Sequence, residues 1–201
     1  MPVDLATIRS RHARAVALTS DVVANLKPDD LDRATPCVEW TLADLLSHMI
    51  VQHRGFAAAA SGTPTALDAW APQPLSADPV SEYTAAADAV VAAYLDDAVA
   101  DRQIWLPELS EKRPFSAVDA LTFQFIDDVV HAWDVARSLD IPLHVDDDLT
   151  DAALAVALAV PNSPDRRGPG FAFGAALPAA PDSGPLDRAL AALGRSSAWP
   201  A

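Results

Sequence analysis

Apolar residues recur at helical spacing over most of the chain, and no strict two-residue alternation runs long enough to mark a sheet. Leu5, Ile8, Ala15, Leu18, Val22 and Leu26 predict a first helix from about Asp4 to Asn25, stopped by Pro28. His12 falls on the side of that helix carrying Arg9, Arg11 and Arg14, which predicts an exposed ring. Thr41-Leu42-Ala43-Asp44 has the form of a capping box, the threonine hydroxyl capping the first turn and the aspartate reaching back. It opens a second helix over about 42–60 with Leu42, Leu45, Leu46, Met49, His53 and Phe56 on one face. His48 lies beside that face, and His53, five residues on, points well away from His48. Residues 61–79, broken by Gly62, Pro64, Pro72 and Pro74, predict a loop anchored by Leu67 and Trp70. Asp78-Pro79 reads as the cap and first position of a third helix to about Val99. The stretch 104–115, interrupted by Pro107 and Pro114, predicts a small hairpin or an irregular crossover.

Ser116-Ala117-Val118-Asp119 is a second capping box, launching a fourth helix that ends at about Leu139, before Pro142. Asp146-Asp147-Asp148 suits the positive end of a further helix over about 148–159. A Pro- and Gly-rich stretch follows, then a short helix over 186–193 closed by Gly194. The expected fold is all-α: an antiparallel four-helix bundle over residues 1–145, with an additional C-terminal helical segment, 146–201, packed on it.

The fourth helix carries the candidate chemistry. Gln124, Asp127, Asp128, His131 and Asp134 form a polar stripe in an otherwise apolar segment. Two readings stand side by side. A polar stripe on an amphipathic helix is usually a solvated face. Solvated faces, however, favour long helix-forming Lys, Glu and Arg, and this one offers short Asp and His, which are poor helix formers. Asp127 and His131 are one turn apart, so a carboxylate and an imidazole can converge on one point and supply two-thirds of a divalent metal site. His48 is the natural third ligand, because a bundle brings its second and fourth helices together.

Composition narrows the function classes. The chain has 201 residues and a formal net charge of −14, with no compensating basic patch, which disfavours nucleic-acid binding. No apolar run reaches the roughly 18–20 residues that span a bilayer, and the start carries no basic region followed by an apolar core. A cytoplasmic protein is expected. Cys37 is the only cysteine, so an internal disulfide and a CxxC-type zinc site are excluded. It reads as a small buried residue in a connection, without an adjacent basic residue to activate it.

The segment Thr35-Pro36-Cys37-Val38-Glu39-Trp40-Thr41-Leu42-Ala43-Asp44-Leu45-Leu46-Ser47-His48 resembles the opening signature of the mycothiol-dependent maleylpyruvate isomerase-like family, within the wider DinB-like superfamily. Val129-Val130-His131-Ala132-Trp133-Asp134-Val135-Ala136 resembles its second signature. The resemblance spans nearly the whole chain and implies a four-helix bundle holding a divalent metal through His48, Asp127 and His131. Asp127 stands where that family more often has glutamate, one methylene longer.

Three protein ligands leave an open position, the arrangement of a catalytic site. Two imidazoles and one carboxylate suit zinc first, with nickel as a second choice. The resemblance selects mycothiol as cosubstrate, in a transferase or isomerase reaction on a small electrophile. A non-catalytic metal-binding module for regulation or partner binding is the alternative, and a bundle with a degenerate site a third. A homodimer is compatible with either. Asp134 reads as a structural hydrogen-bonding group first, with a support to the ligands or a helix-surface residue as the other readings. Arg166 and Arg167 read either as a clamp for a substrate carboxylate or as a solvated loop pair.

Overall fold

The structure, a computed structural model, describes residues 3–38, 40–63, 65–163, 167–168 and 172–200. Six α-helices, with three short 3-10 turns between them, make up the regular structure among them: α1 Leu5–Val23, α2 Leu42–Ala60, α3 Pro79–Leu95, α4 Ala117–Leu139, α5 Asp147–Ala159 and α6 Pro185–Ala192. The chain divides into two compact units, Met1–Ile141 and Pro142–Ala201. In the first, α1 packs on α4 and α2 on α3, with further contacts of α1 with α3 and of α2 with α4. This is the expected all-α helical bundle. In the second unit α5 packs on α6.

Local chemistry sets the helix starts. Thr41 and Asp44 form the reciprocal box at α2: Thr41 Oγ1 accepts from the Asp44 N–H at 3.2 Å, and Asp44 Oδ2 accepts from the Thr41 N–H at 2.9 Å. Such a cap is worth about 1 kcal/mol and fixes the phase from which every α2 side chain projects. Ser116 caps α4 through the Asp119 N–H, Asp78 caps α3 ahead of Pro79, and Asp146 caps α5. The third helix is shorter than its apolar period suggests. Asp96 leaves it in an extended conformation, accepts from the Ala98 N–H and binds Arg102, and so starts a separate 3-10 turn, Asp97–Asp101.

Apolar burial holds the four helices together. Leu42, Leu45, Leu46, Ile50, Tyr83, Tyr94, Leu121 and Phe125 are all fully buried, each contributing roughly 1.5–3 kcal/mol relative to exposure. Trp70 anchors the loop after α2 as expected, whereas Leu67 is half exposed. Gly55 makes the Trp70 contact possible: a Cβ there would sit 2.7 Å from the indole ring. The stretch 104–115 closes with a single antiparallel bridge between Ile104 and Phe115, not a hairpin ladder. No helix among the described residues is long and apolar enough to cross a membrane.

Candidate metal centre

Helix α4 is buried on nearly all sides, so the stripe does not form a solvated face. Gln124, Asp128, His131 and Asp134 are all at most 5% exposed. Asp127 alone keeps a partly open side chain, at 32%. Successive residues on a helix diverge by about 100°, and the stripe accordingly splits into two networks. Asp127, His131 and Asp134 serve one, and Gln124 and Asp128 the other.

The first network joins α4 to α2. His131 Nε2 lies 3.2 Å from Asp127 Oδ1, and His48 Nε2 lies 3.9 Å from Asp127 Oδ2. The His48 and His131 rings meet edge to face with centroids 5.3 Å apart. One ligand atom from each of His48, Asp127 and His131 lies within 4.8 Å of the other two. Bonds of roughly 2.0–2.2 Å to a first-row cation need only small side-chain adjustments from such a triangle. Trp40 packs on the outer side of His48, with ring centroids 4.9 Å apart, and limits the ring's swing.

Behind His131 sits a fully buried carboxylate. His131 Nδ1 donates to Asp134 Oδ2 at 2.9 Å, which fixes the tautomer and aims Nε2 at Asp127. A carboxylate behind a histidine in this way orients a metal ligand and raises its basicity. The Cys37 thiol donates to the same oxygen at 3.2 Å. Burial alone would push the His131 pKa down. The charge of Asp127 and hydrogen bonds with Asp127, Asp134 and Cys37 outweigh it and hold the imidazole well above its ordinary value in the metal-free protein.

Cys37 is therefore not merely a small apolar residue. It is half-buried, with an imidazole and a carboxylate beside it that are distant in sequence. Its loop is fastened by Thr35, whose Oγ1 accepts from the Cys37 N–H at 3.1 Å and lies 3.0 Å from the carbonyl oxygens of Cys37 and Trp40. An isolated bridge from Ala34 to Thr41 closes the loop and delivers the chain into α2.

The second network is a polar cluster inside the bundle. His53 Nε2 lies 2.9 Å from Asp128 Oδ1, and His12 Nε2 lies 3.1 Å from Gln124 Oε1 and 3.8 Å from Asp128 Oδ2. His53 does point away from His48, as its spacing requires. His12 was expected on the exposed side and is instead 1% exposed. Arg9, Arg11 and Arg14 share no single face with it at 3.6 residues per turn, and their presence said nothing about where its ring goes. Burial, partly offset by the charge of Asp128, lowers the His12 pKa to about 4. Arg167 is neither solvated nor free for a substrate. Its guanidinium donates to the carbonyl oxygens of Val160, Pro161, Gly174 and Ala192 within the second unit. Arg166 lies outside the described residues.

Comparison with known proteins places this geometry in context. The family model described as mycothiol maleylpyruvate isomerase N-terminal domain matches residues 12–136. Those residues run from the buried His12 through every side chain of both networks. Two uncharacterized proteins of Mycobacterium tuberculosis, MT0763 of strain CDC 1551 / Oshkosh and Rv0738 of strain ATCC 25618 / H37Rv, are each 30% identical over 192 residues, covering 92% of this chain and 96% of theirs. No solved structure matches.

Proposed function

Because the chain belongs to the mycothiol maleylpyruvate isomerase family, we propose that it is a cytoplasmic, divalent-metal-dependent enzyme that uses a small thiol, mycothiol, in a transferase or isomerase reaction on a small electrophile. The observation that carries the reading is the convergence of His48, Asp127 and His131, backed by the buried Asp134. The donor set fits zinc, with nickel as the second choice. Asp127 lies 3.2 Å from His131 on its own helix and 3.9 Å from His48 on α2, so the triangle forms with the shorter aspartate side chain. Bound there, the cation would stabilise a thiolate at neutral pH.

The chain's own residues do the rest. His48 and His131 present Nε2 to one point, Asp134 keeps the proton of His131 on Nδ1, and Trp40 walls the His48 side. No cysteine nucleophile is required, and Cys37 is occupied with Asp134.

The test is metal analysis of purified protein, followed by an electrophile screen with and without thiol. One divalent ion per chain, reduced in His48→Ala and His131→Ala, together with thiol-dependent turnover lost in both variants, supports the proposal. Turnover that survives both substitutions refutes it. Stoichiometric metal without turnover, alongside a specific partner, supports the metal-binding module instead.

A further inference from the structure

Forming a thiolate releases a proton, and the ligands themselves are poorly placed to take it. His131 Nδ1 is committed to Asp134, and its Nε2 faces Asp127. Asp134 already receives both His131 and Cys37. A further carboxylate that feels the charge of Asp127 is Glu108, on the crossover between α3 and α4.

The crossover is built to hold it. Ile104 and Phe115 exchange both backbone hydrogen bonds, at 2.9 and 2.8 Å, and the Leu106 carbonyl accepts from the N–H groups of Leu109 and Ser110 at 3.0 Å each. Ile104 and Leu106 are fully buried and pin this turn to the bundle, while Glu108 itself is an exposed residue of the turn. Gln52 Nε2 donates to Glu108 Oε2 at 2.6 Å. Gln52 lies one helical turn after His48 and is itself buried, which sets the Glu108 carboxylate beside the face of α2 that carries His48. Gln52 holds one carboxylate oxygen, and among the described residues no other group is bonded to Glu108. Partial desolvation of its carboxyl raises the Glu108 pKa, although the residue as a whole is exposed. The hydrogen bond from Gln52 opposes the shift, and the charge of Asp127 adds to it. A carboxylate whose pKa lies above its ordinary value is a stronger proton acceptor than an ordinary one.

We propose that Glu108 is the proton acceptor of this site. As the thiol binds, its S–H bond breaks, the proton passes to Glu108 Oε1, and the electron pair stays on sulfur. The thiolate then forms the S–C bond with the electrophile. The electrophile atom that receives the displaced electron pair takes the proton back from Glu108, which returns to its carboxylate form. The inference rests on the thiol-dependent reading above.

The test follows protons rather than turnover. Protein loaded with cobalt(II) is mixed with 2-mercaptoethanol near neutral pH. Thiolate–cobalt charge-transfer absorption reports binding, and a pH indicator in weak buffer counts protons released. Wild type should release well under one proton per thiolate formed, and Glu108→Gln close to one. Glu108→Asp should fall between them. Equal release from wild type and Glu108→Gln overturns the proposal and leaves the thiol reading standing. Absence of the charge-transfer band in wild type overturns the thiol reading and the proposal with it. A Glu108→Gln protein that no longer takes up cobalt would make Glu108 part of the metal-holding structure, and that also overturns the proposal.

Discussion

Folding stability should fall between pH 6.5 and 4 because of one residue, His12. Its ring is buried between Gln124 and Tyr94, and its pKa drops from 6.5 to about 4, chiefly by burial. In the unfolded chain the imidazole returns to its ordinary value. Between the two values the unfolded chain therefore binds a proton that the native state refuses, and stability rises with pH. The contribution is complete above about pH 6.5, erodes as pH falls and is fully lost below about 4. The interval is 2.5 units, and at about 1.36 kcal/mol per unit it amounts to roughly 3 kcal/mol. That is a large share of the 5–15 kcal/mol typical of a domain.

Other groups titrate nearby, so wild type alone does not isolate His12. The capping carboxylates of Asp4, Asp44 and Asp78 are lowered by hydrogen bonds to their own first turns, and their contributions fade below the window. Glu108, raised, acts with the opposite sign. The measurement is urea unfolding of wild type and His12→Gln from pH 7.5 to 4.5. The variant keeps an N–H near the position of Nε2 and has nothing to titrate. Wild type should lose about 2–3 kcal/mol more than the variant across this range. Parallel curves for the two proteins would refute the argument that a neutral buried imidazole is what the acid limb reports.

Three further outcomes are expected. Asp134→Asn should weaken divalent metal binding about 10–100-fold, measured by chelator competition; a loss under about threefold would mean that packing alone orients His131. Metal affinity should already be falling as pH drops through neutrality, instead of only below about 6 as an ordinary imidazole would give, because Asp127 and Asp134 hold a proton on His131 that the cation must displace; a pH-independent affinity between 6 and 8 contradicts this. Gly55→Ala should cost about 1–3 kcal/mol, since its Cβ meets the Trp70 ring at 2.7 Å, and a melting temperature equal to wild type would show that the indole moves aside freely.

The helices were legible because their signals are local. Thr41 with Asp44, Asp78 with Pro79, and Ser116 with Asp119 mark starts within four residues of sequence, and α2, α3 and α4 begin where those signals place them. The spacing of Asp127 and His131 was equally readable, since one helical turn brings them together by itself. Partners set by packing were not. Cys37 meets Asp134 across 97 residues, His12 meets Gln124 across 112, and His53 meets Asp128 across 75. The signature shared with the family was the one trace of Cys37 in the sequence, and it carried no geometry. Glu108 had no trace at all, because an irregular crossover has no period from which to read a facing side.

The adjacent aspartates of α4 explain how a short ligand side chain can serve the site. Asp127 and Asp128 are chemically identical and differ by one helical step, about 100° of rotation. Packing gives them opposite tasks. Asp128 is tied to His53 on α2 at 2.9 Å, and Thr19 Oγ1 on α1 lies 3.1 Å from its backbone oxygen. A buried polar group left without its hydrogen-bond partner costs about 1–3 kcal/mol, so the two helices are costly to separate at this point. That link resists rotation of α4 about its own axis relative to α1 and α2. Asp127 inherits the restriction through the backbone, because its direction follows from that of Asp128. A flexible helix would need the reach of a glutamate to find the two imidazoles. A helix locked in rotation one residue away can place an aspartate against the imidazole of the other helix, and the 3.9 Å approach of Asp127 to His48 on α2 is the result.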